Sequence, residues 1–73
     1  MSNHEIGYTD KWGFQLIKRA GRVEMEYHSE KDTWNVFLYE NANQNEEWLL
    51  YTSKRDKEKA DKVFDSVVEL LKA

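Results

Sequence analysis

Residues 33–40, Thr-Trp-Asn-Val-Phe-Leu-Tyr-Glu, decide how the rest of the chain is read. The run is rich in β-branched and aromatic side chains, which fit a pleated surface, and neither Gly nor Pro interrupts it. It is the length of a strand and too short for an ordinary helix. Successive side chains of a strand point to opposite faces. Trp34, Val36 and Leu38 therefore share one face, and Asn35, Phe37 and Tyr39 share the other.

Working outward toward the N-terminus, Ser29-Glu30-Lys31-Asp32 has turn chemistry, and Arg22 to His28 alternates. A four-residue loop there pairs Tyr27 with Trp34, Met25 with Val36 and Val23 with Leu38. Further back, Ala20-Gly21 reads as a tight turn and Trp12 to Lys18 as another strand. That turn pairs Leu16 with Met25 and Phe14 with Tyr27. Toward the C-terminus, Asn41 to Asn45 is an Asn-rich loop and Glu47 to Thr52 a fourth strand, pairing Leu38 with Trp48 and Val36 with Leu50. These registers collect Phe14, Leu16, Val23, Met25, Tyr27, Trp34, Val36, Leu38, Trp48 and Leu50 on one face. A slip of one residue would have brought charges into it.

Beyond Thr52 the period changes. Ala60, Val63, Phe64, Val67, Leu70 and Leu71 follow helical spacing, with Lys57, Lys59, Asp61, Lys62 and Glu69 on the polar face. Ser53 and Asp56 resemble a capping box at the helix start. One apolar sheet face and one apolar helix stripe require each other. The expected fold class is α+β: a four-stranded antiparallel meander sheet with one C-terminal amphipathic helix packed on one face (ββββα). Residues 1–73 read as a single domain. Within it, 1–11 form a loose arm whose Ile6 and Tyr8 are placed to add a short edge strand, 12–52 form the sheet and 54–72 the helix.

A chain of 73 residues buries only about 60–65% of its unfolded surface, so domains of this size lean on disulfides, metals or oligomerisation. There is no cysteine, and His4 and His28 are too few for a histidine cage. Oligomerisation is the remaining staple, and neither metal nor cofactor is expected. The net charge of −3, with both signs mixed along the chain, argues against general nucleic-acid binding. No apolar run approaches the ~18 residues of a membrane span, and Met1 to Asp10 carries no apolar leader core. The expected location is the cytoplasm.

On the same register the second sheet face carries Gln15, Ile17, Arg19, Arg22, Glu24, Glu26, Asn35, Phe37, Tyr39, Glu47, Leu49 and Tyr51. One helix covers one face. Ile17, Phe37, Tyr39, Leu49 and Tyr51 are thus expected as an uncovered apolar patch, the usual mark of a contact surface. The first functional expectation is a small non-enzymatic protein-interaction module, homodimeric through this outer face or bound there to another protein.

The alternative is a single-stranded nucleic-acid-binding module. Lys18, Arg19 and Arg22 cluster at the first hairpin tip, and Lys54, Arg55, Lys57, Lys59 and Lys62 cluster near the helix start. Exposed rings beside them would stack on bases. Glu24, Glu26 and Glu47 on the aromatic face, and Asp56, Glu58 and Asp61 among the lysines, oppose a phosphate backbone.

No catalytic constellation stands out. Glu24 and Glu26 sit two apart on one strand, within the range of glycosidase pairs, and without a readable cleft they read as a solvated strand face. His28 with Glu26 and Glu30 lacks a fourth metal ligand and reads as a surface histidine. Ser29, Ser53 and Ser66 have no histidine at a motif spacing, and Gly7, Gly13 and Gly21 form no phosphate loop. Trp12, Trp34 and Trp48 would suit a small-molecule or carbohydrate ring, but the register places them in the core.

From Trp12 to Ala73 the element order resembles that of single-strand-binding modules such as PUR repeats and the PC4 coactivator fold. The resemblance is one of topology and brings no motif residues with it. It implies units paired into dimers or pseudo-dimers and a sheet face able to hold nucleic acid. In size and composition the chain also resembles short proteins of bacteria and their phages.

Overall fold

Four antiparallel strands precede one helix, in the order β1 (Phe14–Ala20), β2 (Val23–His28), β3 (Thr33–Tyr39), β4 (Trp48–Lys54) and α1 (Lys57–Lys72). The strands lie in the sheet in chain order, so the ββββα meander expected from the pattern is the fold. The structure is a computed structural model and describes residues 5–40 and 48–72. The expected Asn41–Asn45 loop, Glu47 and the side chain of Trp48 lie outside the described residues.

The central hairpin has the register its alternation demands. Tyr27 pairs with Trp34, Met25 with Val36, and Val23 with Leu38. Its turn is closed by Asp32 at φ 54, a conformation Asp tolerates, and the Asp32 carboxylate accepts the Tyr27 hydroxyl at 2.7 Å.

The two outer strands depart from the expected pairing. Gly21-Arg22, rather than Ala20-Gly21, makes the first turn, and Ala20 pairs with Val23. Gly21 has φ +61, as the first central residue of a type II′ turn requires. A bulge follows at Ile17: Lys18 pairs with Met25, while Leu16 pairs with Glu26. A bulge sets two side chains against one and reverses the faces beyond it. Ile17 therefore packs on the helix-side core, and Phe14 and Leu16 move to the opposite face from the one expected.

Lys18 occupies a core-facing position. Its ammonium reaches Asp61 at 2.9 Å and lies 4.6 Å from the centre of the Phe64 ring. A lysine is accommodated there because its stem is apolar and its tip finds both a carboxylate and a ring face.

In β4, Leu38 pairs with Leu50, Val36 with Thr52 and Tyr39 with Trp48, with a second bulge at Leu49. The pairing is shifted by two residues from the expected one. An even shift preserves the faces, so Leu50 stays on the helix side and Tyr51 on the other.

The strand runs on to Lys54, and Ser53 pairs with Asn35 instead of capping the helix. Asp56 is the cap. Its carboxylate accepts the Glu58 N–H at 2.9 Å and its carbonyl accepts the Ala60 N–H at 3.1 Å. Asp56→Ala is expected to lower stability by about 1 kcal/mol in urea denaturation. An effect confined instead to Ser53→Ala would return the cap to the position the sequence suggested.

The core joins Val23, Met25 and Val36 of the sheet to Ala60 and Phe64 of the helix, with Ile17, Ala20, Trp34, Leu38, Val63, Val67 and Val68 around them. Met25 and Val23 are both 0% exposed. The apolar stripe of α1 ends at Val68, for Leu70 and Leu71 are exposed where burial was expected. Lys57 lies over the Trp34 ring, and Val68, Leu71 and Lys72 line a cleft of about 330 Å³ with Ala20, Gly21 and Arg22. The helix thus runs from the Trp34 end of β3 to the first hairpin turn, and its last turn overhangs that turn.

Candidate interaction surface

The two margins of the sheet are treated differently. Before β1 the chain makes a tight turn at Asp10, whose carboxylate accepts the N–H groups of Trp12 at 2.9 Å and Phe14 at 3.0 Å. The arm then follows β1. Asp10 N–H donates to the Phe14 carbonyl, Leu16 N–H to the Tyr8 carbonyl and Gly7 N–H to the Leu16 carbonyl, and Thr9 bridges Gln15. Within the arm expected to be loose, Gly7 to Asp10 is tied along the outer edge of β1, where the short edge strand was placed. Trp12 sits in the turn, 67% exposed with Lys11 over its ring, and not in the core as expected, because β1 begins only at Phe14.

His28 secures this turn. Its Nε2–H donates to the Trp12 carbonyl at 3.0 Å, and its Nδ1 accepts the Lys31 N–H at 3.3 Å. Gly13 stands beside the ring at φ +93, a backbone conformation that favours glycine, and a Cβ there would make only ordinary contact with it at 3.6 Å from Nε2. Both nitrogens are engaged and the residue is buried, so it is neither the surface histidine expected nor a ligand. Among the described residues no group of three acidic or imidazole side chains is arranged to hold a metal.

The face opposite the helix is largely enclosed. Phe37 is 7% exposed, with Phe14 at 6.2 Å, Tyr39 at 6.0 Å and Tyr51 at 5.0 Å between ring centres. The expected exposed patch is corrected accordingly. Ile17 faces the helix, Phe37 is buried and Tyr39 half-buried, which leaves Leu49 and Tyr51 exposed.

Between the rings lies a polar layer. Asn35 is 0% exposed; its amide donates to the Glu26 carbonyl and its Oδ1 accepts the Tyr51 hydroxyl at 3.2 Å. Glu24 is buried, with Arg19 at 3.6 Å. Burial, a hydrogen bond with Glu24 and the charges of Glu24 and Asp10 push the Glu26 carboxyl up to about 8. Burial and the charges of Glu26, Glu24 and Asp10 raise the Tyr39 hydroxyl in turn. The pair expected on a solvated strand face is thus an enclosed one. The cleft beneath α1 lies on the other side of the sheet from it.

Of the basic residues, Lys18 and Lys57, one from each cluster, meet at the Asp61 carboxylate, at 2.9 and 3.1 Å. Lys18 is engaged by Asp61 and Phe64, Arg19 faces Glu24, and Arg22 Nη1 donates to the carbonyls of Tyr39 at 3.2 Å and Glu40 at 3.1 Å. Lys54 ends β4 and Arg55 follows it, three strand spacings from β1, or about 14 Å. Lys54 and Arg55 thus stand at the opposite margin of the sheet from β1, while Lys57 on α1 reaches the same carboxylate as Lys18.

The remaining margin is β4. Among the described strands it has a neighbour on one side, β3, and Leu49 and Leu50 are each 57% exposed. Edge strands are usually blunted by charge, Pro, a bulge or a covering segment. In Trp48–Lys54 the bulge at Leu49 and one charge, Lys54 at the far end, serve in this way. The unalternating run Trp48-Leu49-Leu50-Tyr51 was the available signal, since half-buried strands alternate and this one does not. No helix among the described residues is long and apolar enough to cross a membrane.

Compared with protein-family models, with curated proteins and with solved structures, the chain matches none. The likeness to PUR repeats and the PC4 coactivator fold rests on the ββββα element order.

Proposed function

We propose that the chain is a small non-enzymatic protein-interaction module that receives an extended strand of its partner along β4. One observation carries this reading: the arm occupies the edge of β1, while β4 has β3 alone as its neighbour among the described strands and carries the exposed Leu49 and Leu50. The margin of a sheet next to apolar side chains is a template for strand addition, in which the main chain supplies affinity and the side chains supply selectivity. The contact surface is the margin of the sheet and not its broad face, because Phe37 is enclosed there.

The test is a titration with a Val-Thr repeat heptapeptide flanked by lysines, followed by amide chemical shifts. Saturable shifts confined to 48–54 and the facing residues of β3 are expected, and Leu50→Lys should abolish them. Absence of any response at millimolar peptide, or shifts centred on the β1 margin, refutes strand addition at β4.

A further inference from the structure

We infer that the cleft between the last turn of α1 and the first hairpin turn binds a medium-chain aliphatic carboxylate. The site lies on the helix side of the sheet, and the inference stands apart from strand addition at β4.

The cleft follows from the residues at that end of the fold. Ala20 closes β1 and Gly21 opens the turn, so the chain facing the end of α1 carries almost no side-chain bulk. A Cβ added at Gly21 would meet nothing within 4 Å. Across from them, Val68 and Leu71 sit three apart on α1 and share a face. Val68 is half-buried against the core, and Leu71 beyond it is exposed. The space left between turn and helix is about 330 Å³.

The lining sets the chemistry of the occupant. Among the described residues, Ala20, Gly21, Val68 and Leu71 supply apolar walls, and Arg22 and Lys72 supply two cations. The Arg22 guanidinium is held in place, because Nη1 donates to the carbonyls of Tyr39 and Glu40. Nothing among the described residues takes its Nε and Nη2, and that edge matches the two oxygens of a carboxylate. Lys72 has Glu69 at 4.0 Å, with both side chains largely in water, a pairing that a ligand displaces at small cost.

The volume sets the length of the ligand. A cavity of about 150 Å³ accommodates the six carbons of benzene, so 330 Å³ accommodates roughly a dozen non-hydrogen atoms, the number in decanoate. A polypeptide C-terminus would also present a carboxylate, but its amide groups would lie against apolar walls without partners. A fatty acid has a single polar end, which Arg22 and Lys72 receive.

Decanoate below its micelle concentration is the probe, and amide chemical shifts across the chain are the readout. Saturable shifts are expected at Gly21, Arg22, Val68 and Leu71, with a sub-millimolar dissociation constant. From hexanoate to decanoate the affinity should rise about two- to fourfold per methylene, and it should level off beyond dodecanoate, when the cleft is full. Decanol, which lacks the charge, should bind roughly tenfold more weakly, and Arg22→Gln should weaken decanoate by a similar factor. Lys72→Glu should weaken it roughly fivefold. Leu71→Asp should abolish binding with an unchanged circular dichroism spectrum.

No response at millimolar decanoate, or shifts centred on the opposite face of the sheet, overturns the site. Affinity that climbs with chain length without levelling overturns the cleft as its boundary. Equal binding of decanol and decanoate, or unchanged affinity in Lys72→Glu, overturns the charged mouth. Lys72 is exposed, so that outcome does not depend on how Arg22→Gln folds. Tighter binding of acetyl-Gly-Leu than of hexanoate overturns the aliphatic ligand in favour of a polypeptide C-terminus.

Discussion

Replacing Phe64 with Ala is expected to cost about 3–5 kcal/mol, enough to leave the chain largely unfolded at room temperature. Phe64 is buried where α1 meets the sheet, against Val23, Met25 and Val36. Its ring also seats the Lys18 ammonium, which has Asp61 beside it. Truncation therefore removes apolar contacts from the centre of the only helix-to-sheet interface among the described residues, and strips a ring face from a lysine on the core side of β1. A domain of this length has total stability of roughly 4–11 kcal/mol at 0.05–0.15 kcal/mol per residue, so one such loss is a large share of the whole. Urea denaturation followed by tryptophan fluorescence reads the effect. Leu70→Ala, on an exposed position of the same helix, should stay within about 0.5 kcal/mol of the unmodified chain. Equal effects at Phe64 and Leu70 would mean that α1 does not pack through the Ala60–Phe64 face.

Glu26→Gln is expected to leave stability unchanged near pH 5 and to raise it near pH 8.5 by about 2–3 kcal/mol. The Glu26 carboxyl is raised from 4.5 to about 8, first by burial and then by its hydrogen bond and charge interactions with Glu24 and Asp10. Between those two values the native chain holds a proton that the unfolded chain has released. Stability contributed by the neutral acid is complete below 4.5 and is lost as pH rises through 8. Each pH unit of that window is worth about 1.4 kcal/mol in full. Water reaching the half-buried carboxyl screens part of it, hence the smaller figure of about 2–3 kcal/mol. Glutamine has the same shape, keeps a donor for Glu24 and does not titrate. Urea midpoints at the two pH values distinguish the cases. Parallel pH profiles for the unmodified chain and Glu26→Gln would show that this carboxyl is ionised in the fold.

The parts of the fold that were legible share one physical property: local periodicity survives in them without interruption. Met25, Val36 and their neighbours alternate through two strands and a four-residue turn, so the central hairpin could be read residue by residue. The stripe of the helix is legible from its spacing as far as Val67, with Val68 outside it, and the helix start differs because Ser53 and Asp56 are both competent caps and β4 claims the first. Phe14 and Leu16 were placed on the wrong face because a bulge at Ile17 changes the parity of β1 without changing its composition. The expected interface of Ile17, Phe37, Tyr39, Leu49 and Tyr51 inherited that error at Ile17. At Phe37 it meets rings from neighbouring positions, Phe14, Tyr39 and Tyr51 among them, which a reading strand by strand does not sum. The enclosure of Glu24 and Glu26 was hidden for the same reason: alternation tells which way a carboxylate points and nothing of what lies above it.

The bulge at Ile17 also bears on how this gene can change length. Leu16 and Lys18 pair with Glu26 and Met25, which are consecutive on β2, so a chain shortened by that one codon would keep every other β1 residue opposite its present neighbour. Loss of a codon elsewhere in β1 would instead leave the residues between the lesion and the bulge out of step with β2. Leu49 holds the same position in β4, between Trp48 and Leu50 against consecutive residues of β3. Each margin of the sheet thus contains one site where a one-residue deletion is absorbed locally, and the two central strands pair with each other without one.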